Sequence, residues 1–560
     1  MIAKRTTIHI NMNKFFWIFV SLLSFIFINA IDAFENQPTH HKRILVERLN
    51  TLIFQDHYHE ISKTNSAIII DGVDIPKVEQ FKKQLQEKFI GTQVSLEKLS
   101  EIKFFTINYF REKGYPLVGV NIPAGQDITD GEVYFIVQVA RLNEIEVQGA
   151  RYFSEKRIKN QVRLKSGEEI KTNKLIEDLE WLNDNPFRNV NAIYTAADKL
   201  NETNIILNVE DRFPLRVYAG YENSSYVIAG SSRFIAGFNY GNFLKLDQQI
   251  NFQFMSALEF NDFWGVAGTY IIPLPWKNIL KFLGSYSRAV SDEKPFQVLT
   301  GKGWTFASRY EVPLPIVYNL SHDVIFGFDF KRTNNFLAYA DNLVFNKFID
   351  IFQLLLKYQG TKDDSLGVTS FEFSVFYSPG GFTKNNKTSK FQQEREGAKS
   401  NYVYLDLDIE RITRLKRNFS WVVNFLGQLS FSKLILSEQL ALGGNFTVRG
   451  YMENEVSGDS GFLLKNELRF PNIFSKKNNN FKRVLQFLAF VDYGLSVDVD
   501  KNLLSKNPKS LLSIGPGVRY NMSTYLTFRF DYGFQLIDVK NRSFQNSGNS
   551  RGHLNVVAAY

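Results

Sequence analysis

Tyr402-Val403-Tyr404-Leu405-Asp406-Leu407-Asp408-Ile409-Glu410 sets Val403, Leu405, Leu407 and Ile409 against Tyr402, Tyr404, Asp406, Asp408 and Glu410. Successive side chains of a strand point to opposite faces, so this alternation predicts a strand with one apolar and one polar face. The same period recurs at Ile250, Phe252 and Phe254 against Asn251 and Gln253. It recurs again at Leu526, Phe528, Phe530 and Tyr532 against Thr527, Arg529 and Asp531. A soluble sandwich would turn the apolar face to a core, whereas a membrane barrel would turn it to lipid and line a wet lumen with the polar face. Periodicity alone does not choose between them.

Strand number and loop parity do. Sixteen candidate strands begin near residues 214, 231, 247, 263, 278, 298, 319, 345, 366, 400, 417, 461, 484, 511, 524 and 551. Each strand with its connection has about 22 residues, room for roughly ten-residue membrane strands. Even-numbered joins such as 273–278, 361–365 and 521–524 are short, while the odd joins include long polar loops at 332–346, 379–400, 433–460, 495–510 and 538–550. Short turns on one rim and long loops on the other are the outer-membrane pattern. Leu554, Val556, Ala558 and Tyr560 alternate to an aromatic end, as a closing strand would. The 52 Phe and 25 Tyr supply lipid-facing strands and interfacial girdles. The fold class is therefore mainly β: a 16-stranded transmembrane antiparallel β-barrel over 212–560, preceded by two small α+β domains.

Those domains are read from 67–211, which holds two copies of a strand–helix–helix–strand–strand unit, 67–141 and 142–211. In the first copy, 67–70 is a strand, Pro76 opens a helix, and a second helix starts near Ser95 and carries Leu99, Ile102, Tyr109 and Phe110. It stops at Gly114 before Pro116, a favourable helix terminator. Strands follow at 117–122 and 132–139. The second copy has a strand at 145–147, helices near 154–162 and at 172–183, and strands at 189–195 and 204–209. Ahead of them, 34–66 is polar with a helical patch at Ile44-Leu45-Val46 and Leu49 to Ile53.

Lys4, Arg5 and Lys14, an apolar run 15–28, and small residues at Ala30 and Ala33 read as a secretory signal peptide, 1–33, cleaved after one of those alanines. Met12 offers a second start. The run is short for a bilayer span of about 20 residues. The chain has no cysteine, which excludes disulfides, thiolate metal sites and cysteine nucleophiles. Its formal charge of +9 is spread through the sequence, with no basic helix or aromatic–basic motif, so it reads as solvated surface and no nucleic-acid partner is expected.

One segment stands apart from the strand pattern. Gly443-Gly444-Asn445-Phe446-Thr447-Val448-Arg449-Gly450-Tyr451 leads to Gly458-Asp459-Ser460-Gly461 and Lys465-Asn466-Glu467-Leu468. An arginine on a long loop inside a barrel needs a fixed acidic partner, because it loses hydration there.

The chain resembles the two-partner secretion transporters, the hemolysin secretion/activation protein family. The resemblance covers nearly all of 67–560. In the first unit it rests on Tyr109-Phe110-Arg111-Glu112-Lys113-Gly114-Tyr115-Pro116 and Gln126-Asp127-Ile128. At the barrel entrance it rests on Asp211-Arg212-Phe213-Pro214 and Gly220-Tyr221-Glu222-Asn223, and later on Val448-Arg449-Gly450-Tyr451 and Phe490-Val491-Asp492-Tyr493-Gly494. It implies two periplasmic polypeptide-transport-associated (POTRA) domains and a sixteen-stranded barrel in the outer membrane of a Gram-negative bacterium. It also implies that the 433–460 loop folds into the lumen and that Arg449 pairs with Asp492. The implied function is capture of an unfolded secreted partner, a large β-helical exoprotein of hemolysin or adhesin type, and its export to the cell surface. The barrel would be monomeric and in contact with outer-membrane lipid. The family's plug helix would fall within 37–60; the proline-rich linker often seen there is missing, so plug and plain linker both stay open. Two other readings stand: an outer-membrane protein assembly factor of the same superfamily, which usually carries more POTRA domains, and a passive porin, which needs neither 67–211 nor the glycine–arginine loop.

No catalytic residue, cofactor or metal is expected. Gly458-Asp459-Ser460-Gly461 imitates a serine-protease nucleophile segment, but that chemistry needs a histidine base, and His322 and His553 lie in no such motif, so a loop turn is expected. His57-Tyr58-His59-Glu60 lacks a third ligand cluster and reads as solvated.

Overall fold

The computed structural model describes residues 44–61, 66–199, 201–223, 232–291, 299–334, 338–339, 342–343, 348–474, 483–499, 508–539 and 549–560. The signal peptide expected at 1–33 lies outside the described residues. Two compact units are present. One comprises Met1–Glu144, Leu164–Thr172 and Tyr194–Asn204; the other comprises Ile145–Arg163, Asn173–Ile193 and Ile205–Tyr560.

In the second unit the alternating pattern forms a closed barrel. Among the described residues its sixteen strands are, in order, Leu215–Glu222, Arg233–Phe243, Gln248–Ala257, Phe263–Pro273, Ile279–Ser291, Leu299–Val317, Leu320–Thr333, Ile349–Asp364, Gly367–Ser378, Tyr402–Arg414, Ser420–Ser430, Ser460–Arg469, Arg483–Val497, Lys509–Met522, Leu526–Gln535 and Ser550–Ala559. Each pairs antiparallel with its sequence neighbours, and the first closes on the last from Tyr218↔Ala559 to Glu222↔Asn555. Every strand begins within four residues of its expected start. The sixth strand runs for 19 residues, well beyond the ten-residue expectation, and the seventh and thirteenth strands reach Thr333 and Val497, so the first residues of the loops expected at 332–346 and 495–510 are strand instead.

Burial separates the two faces. In the thirteenth strand Leu488, Phe490, Asp492 and Ser496 are buried, whereas Phe487 and Val491 are 45% and 41% exposed. The buried set faces the lumen and the exposed apolar set faces outward. Odd-numbered joins lie on the rim away from the chain's entry at Leu215, because antiparallel strands return to the entry rim at every even join.

The first unit contains a four-stranded sheet in the order Ile68–Asp71, Thr51–Gln55, Glu132–Val139, Val118–Asn121. Helices Val78–Lys88 and Leu96–Glu112 cover it. Ser95 caps the longer helix by accepting from the Lys98 N–H at 3.1 Å, and Gly114 follows its end with φ 91°. Glu132–Val139 has the bounds expected from sequence. The helical patch at 44–53 is corrected: Ile44–Val46 and Thr51–Gln55 are strands, and the latter is parallel to both its neighbours and buried at every position. A strand buried on both faces needs no alternation, so its apolar run imitates a buried helix. Neither described strand is a plug helix, and residues 37–43 of that expectation lie outside the described residues.

Downstream, Arg141–Gln148, Glu202–Asp211 and Arg188–Ala196 form a three-stranded sheet in that order, with helices Glu155–Gln161 and Thr172–Asn183. Within the second unit Asn185 donates to the Gly241 carbonyl at 2.7 Å, and Arg188 pairs with Asp247 at 2.9 Å with both side chains buried.

Candidate functional site: a loop folded into the lumen

The segment between the eleventh and twelfth strands turns back into the barrel. It carries its own hairpin, Leu440–Leu442 paired with Val456–Gly458. Leu440, Leu442, Val448, Tyr451 and Val456 pack with Leu463 and Leu511 of the twelfth and fourteenth strands. Burying these groups gives the loop a small core inside a wet lumen, which offsets the entropy of ordering a long connection.

At the loop's tip Arg449 is 0% exposed. Its Nε and Nη2 donate to Asp492 Oδ2 and Oδ1 at 2.7 and 2.8 Å, a bidentate fork. Its Nη1 donates to Glu467 Oε1 at 2.7 Å and lies 3.6 Å from Asp531 Oδ1. The backbone N–H of Arg449 reaches Asp492 Oδ2 at 3.2 Å, and the guanidinium sits 3.6 Å from the Phe490 ring centroid. Three carboxylates from the twelfth, thirteenth and fifteenth strands therefore converge on one loop cation. Further cations share those carboxylates: Arg469 bonds Glu467, and Arg519 bonds Asp531. The buried charges thus compensate one another, the condition for holding them in a lumen.

The neighbours of Arg449 are held by backbone. Gly450 has φ 91°, a region L side chains rarely adopt. Its N–H donates to His553 Nε2 at 2.9 Å, and its carbonyl accepts from Gln535 Nε2 at 2.6 Å. A Cβ on Gly450 would lie 2.8 Å from the Gly533 carbonyl oxygen, and one on Gly494 would lie 2.8 Å from Val448 Cγ2. Gly533 and Gly494 are thus the gaps in the barrel wall against which the loop rests. The Tyr451 hydroxyl lies 2.9 and 2.7 Å from the carbonyls of Leu512 and Ile537.

All of the motif residues Val448, Arg449, Gly450, Tyr451, Phe490, Asp492 and Gly494 meet at this tip. Sequence reasoning missed Glu467, Asp531, Gln535, Gly533 and His553. Glu467 stands in a quoted segment and Asp531 on a quoted polar face, yet nothing local marks either as an arginine ligand.

The root of the loop was missed altogether. Glu438 accepts from Lys331 Nζ at 3.0 and 3.1 Å, from Gln353 Nε2 at 2.5 Å and from the Tyr404 hydroxyl at 3.1 Å. Asp459, read from sequence as part of a turn, is fully buried. It accepts from Arg395, from the Leu434 and Val499 N–H groups at 2.9 and 2.8 Å, and from Gln439 Nε2 at 3.1 Å. Beside it, Ser460 Oγ accepts from the Ser430 N–H at 2.9 Å, a strand contact with no histidine involved.

Comparison with known proteins agrees with this architecture. The haemolysin secretion/activation protein family ShlB/FhaC/HecB matches residues 201–520, and the surface antigen variable number repeat family, POTRA, matches residues 140–212. The heme/hemopexin transporter protein HuxB of Haemophilus influenzae is 24% identical over 467 residues, covering 77% of this chain and 76% of its own. The outer membrane transporter CdiB-2 of Burkholderia pseudomallei is 22% identical over 376 residues, covering 64% and 62%. The solved structure of CdiB from Escherichia coli shares the fold, with a TM-score of 0.72 and 16% identity over 92% of this chain and 90% of its own. With the family model matching more than half of the sequence, this chain belongs to the haemolysin secretion/activation protein family ShlB/FhaC/HecB, the two-partner secretion transporters of the outer membrane, whose POTRA domains lie in the periplasm.

Proposed function

We propose that the inward loop is the gate of this transporter and that the Arg449 socket is its catch. The observation that carries this reading is the convergence of Glu467, Asp492 and Asp531 on one loop arginine, with Gly450 held by the fifteenth and sixteenth strands. A lumen filled by this loop has to clear before an extended chain passes. Withdrawal of the tip removes a single cation from the wall and leaves the strand carboxylates with Arg469 and Arg519 to pair with.

The cargo in this reading is a large β-helical exoprotein, delivered unfolded to a barrel that works as a monomer. The chain is partitioned as a leader at 1–33, two POTRA domains ahead of residue 212, and the barrel from there to 560, with the first domain extended upstream to include Thr51–Gln55. Val118–Asn121 is an edge strand of its sheet, paired to Glu132–Val139 on one side, and offers backbone groups to an extended peptide by strand addition. Folding of the cargo outside supplies direction, and no covalent chemistry is needed. Arg449→Ala tests the gate. The expected result is a normal amount of heat-modifiable barrel with cargo export reduced to about a tenth or less, as loss of one partner of a buried pair would cause. Unimpaired export from that variant would end the proposal.

A further inference from the structure

The outer mouth holds a second folded piece. The join between the ninth and tenth strands was expected to be a polar loop, yet it contains the helix Thr388–Glu394 with Phe391 fully buried. Phe391 and Ala398 from this join pack with Leu434 and Ile435 from the root of the inward loop, over Ile349, Ile351, Tyr402 and Tyr404. The wall residues in that cluster face inward: Ile349 and Ile351 alternate with the outward Leu354 and Leu356, which are 50% and 48% exposed. Both joins are odd-numbered, so the cluster sits at the rim away from the chain's entry, the cell-surface side.

Asp459 joins the pieces of that cluster. Arg395, one residue beyond the helix, donates to both Asp459 oxygens, with Nη2 to Oδ2 at 3.1 Å, and also to the Leu434 carbonyl at 2.6 Å. Asp459 also takes the Val499 N–H, so the join after the thirteenth strand is drawn in as well. Asp498 receives Arg395 Nη2 at 2.9 Å and Lys509 Nζ at 3.3 Å, which balances the local charge. Three outer joins are therefore held through one buried carboxylate. A single helix of this length packed on a few apolar residues has little stability of its own, so its position depends on what ties it down.

We propose that Asp459 is the clasp of an outer lid: it holds the helix Thr388–Glu394 on the root of the inward loop, closes the mouth at the cell surface, and opens for cargo exit. This rests on the reading of the lumen as gated, but it places a second barrier at the opposite end of the loop from Arg449, with a different readout. Asp459 is a positioning residue, and its partners are the strand and loop donors named above.

The test uses the purified full-length protein in planar lipid bilayers. Asp459→Asn keeps the shape but loses the charge, and Arg395→Gln removes the matching cation. Each is expected to raise the fraction of time spent in a high-conductance state by on the order of tenfold, as loss of a charge-assisted buried bond shifts a two-state equilibrium. The double variant is expected to match either single variant, and Arg395→Lys to recover part of the closed state. Parental conductance in both single variants would overturn the clasp, as would additive effects in the double. Should Asp459→Asn yield no heat-modifiable barrel, Arg395→Gln decides alone, because it leaves Asp459 its Leu434, Val499 and Gln439 donors. Failure of the Arg449 gate would appear as unimpaired export in Arg449→Ala, whatever the conductance of the clasp variants.

Discussion

The two ends of the inward loop are wired with opposite polarity. At the tip the loop brings the cation, and the wall brings Glu467, Asp492 and Asp531. At the root the loop side brings the carboxylates Glu438 and Asp459, and the donors come from Lys331, Gln353, Tyr404 and Arg395. The tip is a plug in a socket: one guanidinium engages three wall carboxylates at once, so its loss is cooperative. The root spreads its attachment over several donors, including main-chain N–H groups, so each contributes a smaller share. A loop built this way can release at one end while staying registered at the other.

The largest expected effect is at the tip. Arg449→Ala strips three buried carboxylates of their shared partner, and removal of one member of such a pair costs about 3–5 kcal/mol. Protease sensitivity of the inward loop in detergent-solubilised barrel should rise accordingly, and Arg449→Lys should recover it only in part, because an ammonium lacks the guanidinium fork. If lysine restores full protection, the socket is a charge site and not a shaped one.

Next comes Gly450→Ala. Its φ of 91° and the 2.8 Å approach of a Cβ to the Gly533 carbonyl oxygen make the docked conformation strained, by about 1–3 kcal/mol. Export should fall less than for Arg449→Ala. An equal or larger loss would shift the weight of the tip from charge to backbone fit.

At the root, Glu438→Gln keeps an acceptor for Gln353 and Tyr404 but leaves Lys331 without its carboxylate. With several neighbours still in place, the cost should be about 1–2 kcal/mol, read as a modest fall in thermal midpoint with export retained. A loss as large as that of Arg449→Ala would break the contrast between the two ends.

The floor is set by a largely solvated cluster of three side chains in the first unit. Lys98 and Lys88 hydrogen-bond Glu101 at 2.7 and 3.1 Å and hold its carboxyl below the ordinary value of 4.5. A depressed folded pKa gives stability that is full above 4.5 and lost as pH falls through the folded value, so Glu101→Gln should flatten only that acid limb of the thermal midpoint. Because these three side chains are 30–52% exposed and solvent screens them, the change at neutral pH should be the smallest of the series. A neutral-pH loss comparable to that of Glu438→Gln would remove burial as the reason the loop's ion pairs matter.

Legibility followed the range of the physical signal. Strand positions came out within a few residues because the two-residue period is local, and Thr172–Asn183 came out at its bounds because Leu175, Leu179 and Leu182 mark one helix face against Asn185-Pro186. Thr51–Gln55 was misread because a doubly buried strand loses that period. The helix Thr388–Glu394 was missed because it is short and its one buried anchor, Phe391, has no periodic neighbours. Arg449 was visible as a lone cation among glycines; Asp459 was hidden inside a sequence that looked like a turn.

By itself the sequence determined the barrel, its strand number, the rim that bears the long loops, and the presence of an arginine needing a buried acid, since period, parity and charge are properties of contiguous residues. Only the tertiary structure decided which acids meet that arginine. Glu467, Asp492 and Asp531 lie on separate strands and converge because pairing sets Glu467 opposite Phe490 and Asp531 opposite Gly517 across a closed wall. It also decided that Arg395 and Asp459, 64 positions apart, share one clasp. Hydrogen-bond register and barrel closure bring such groups together, and neither leaves a mark on the residues beside them in the chain.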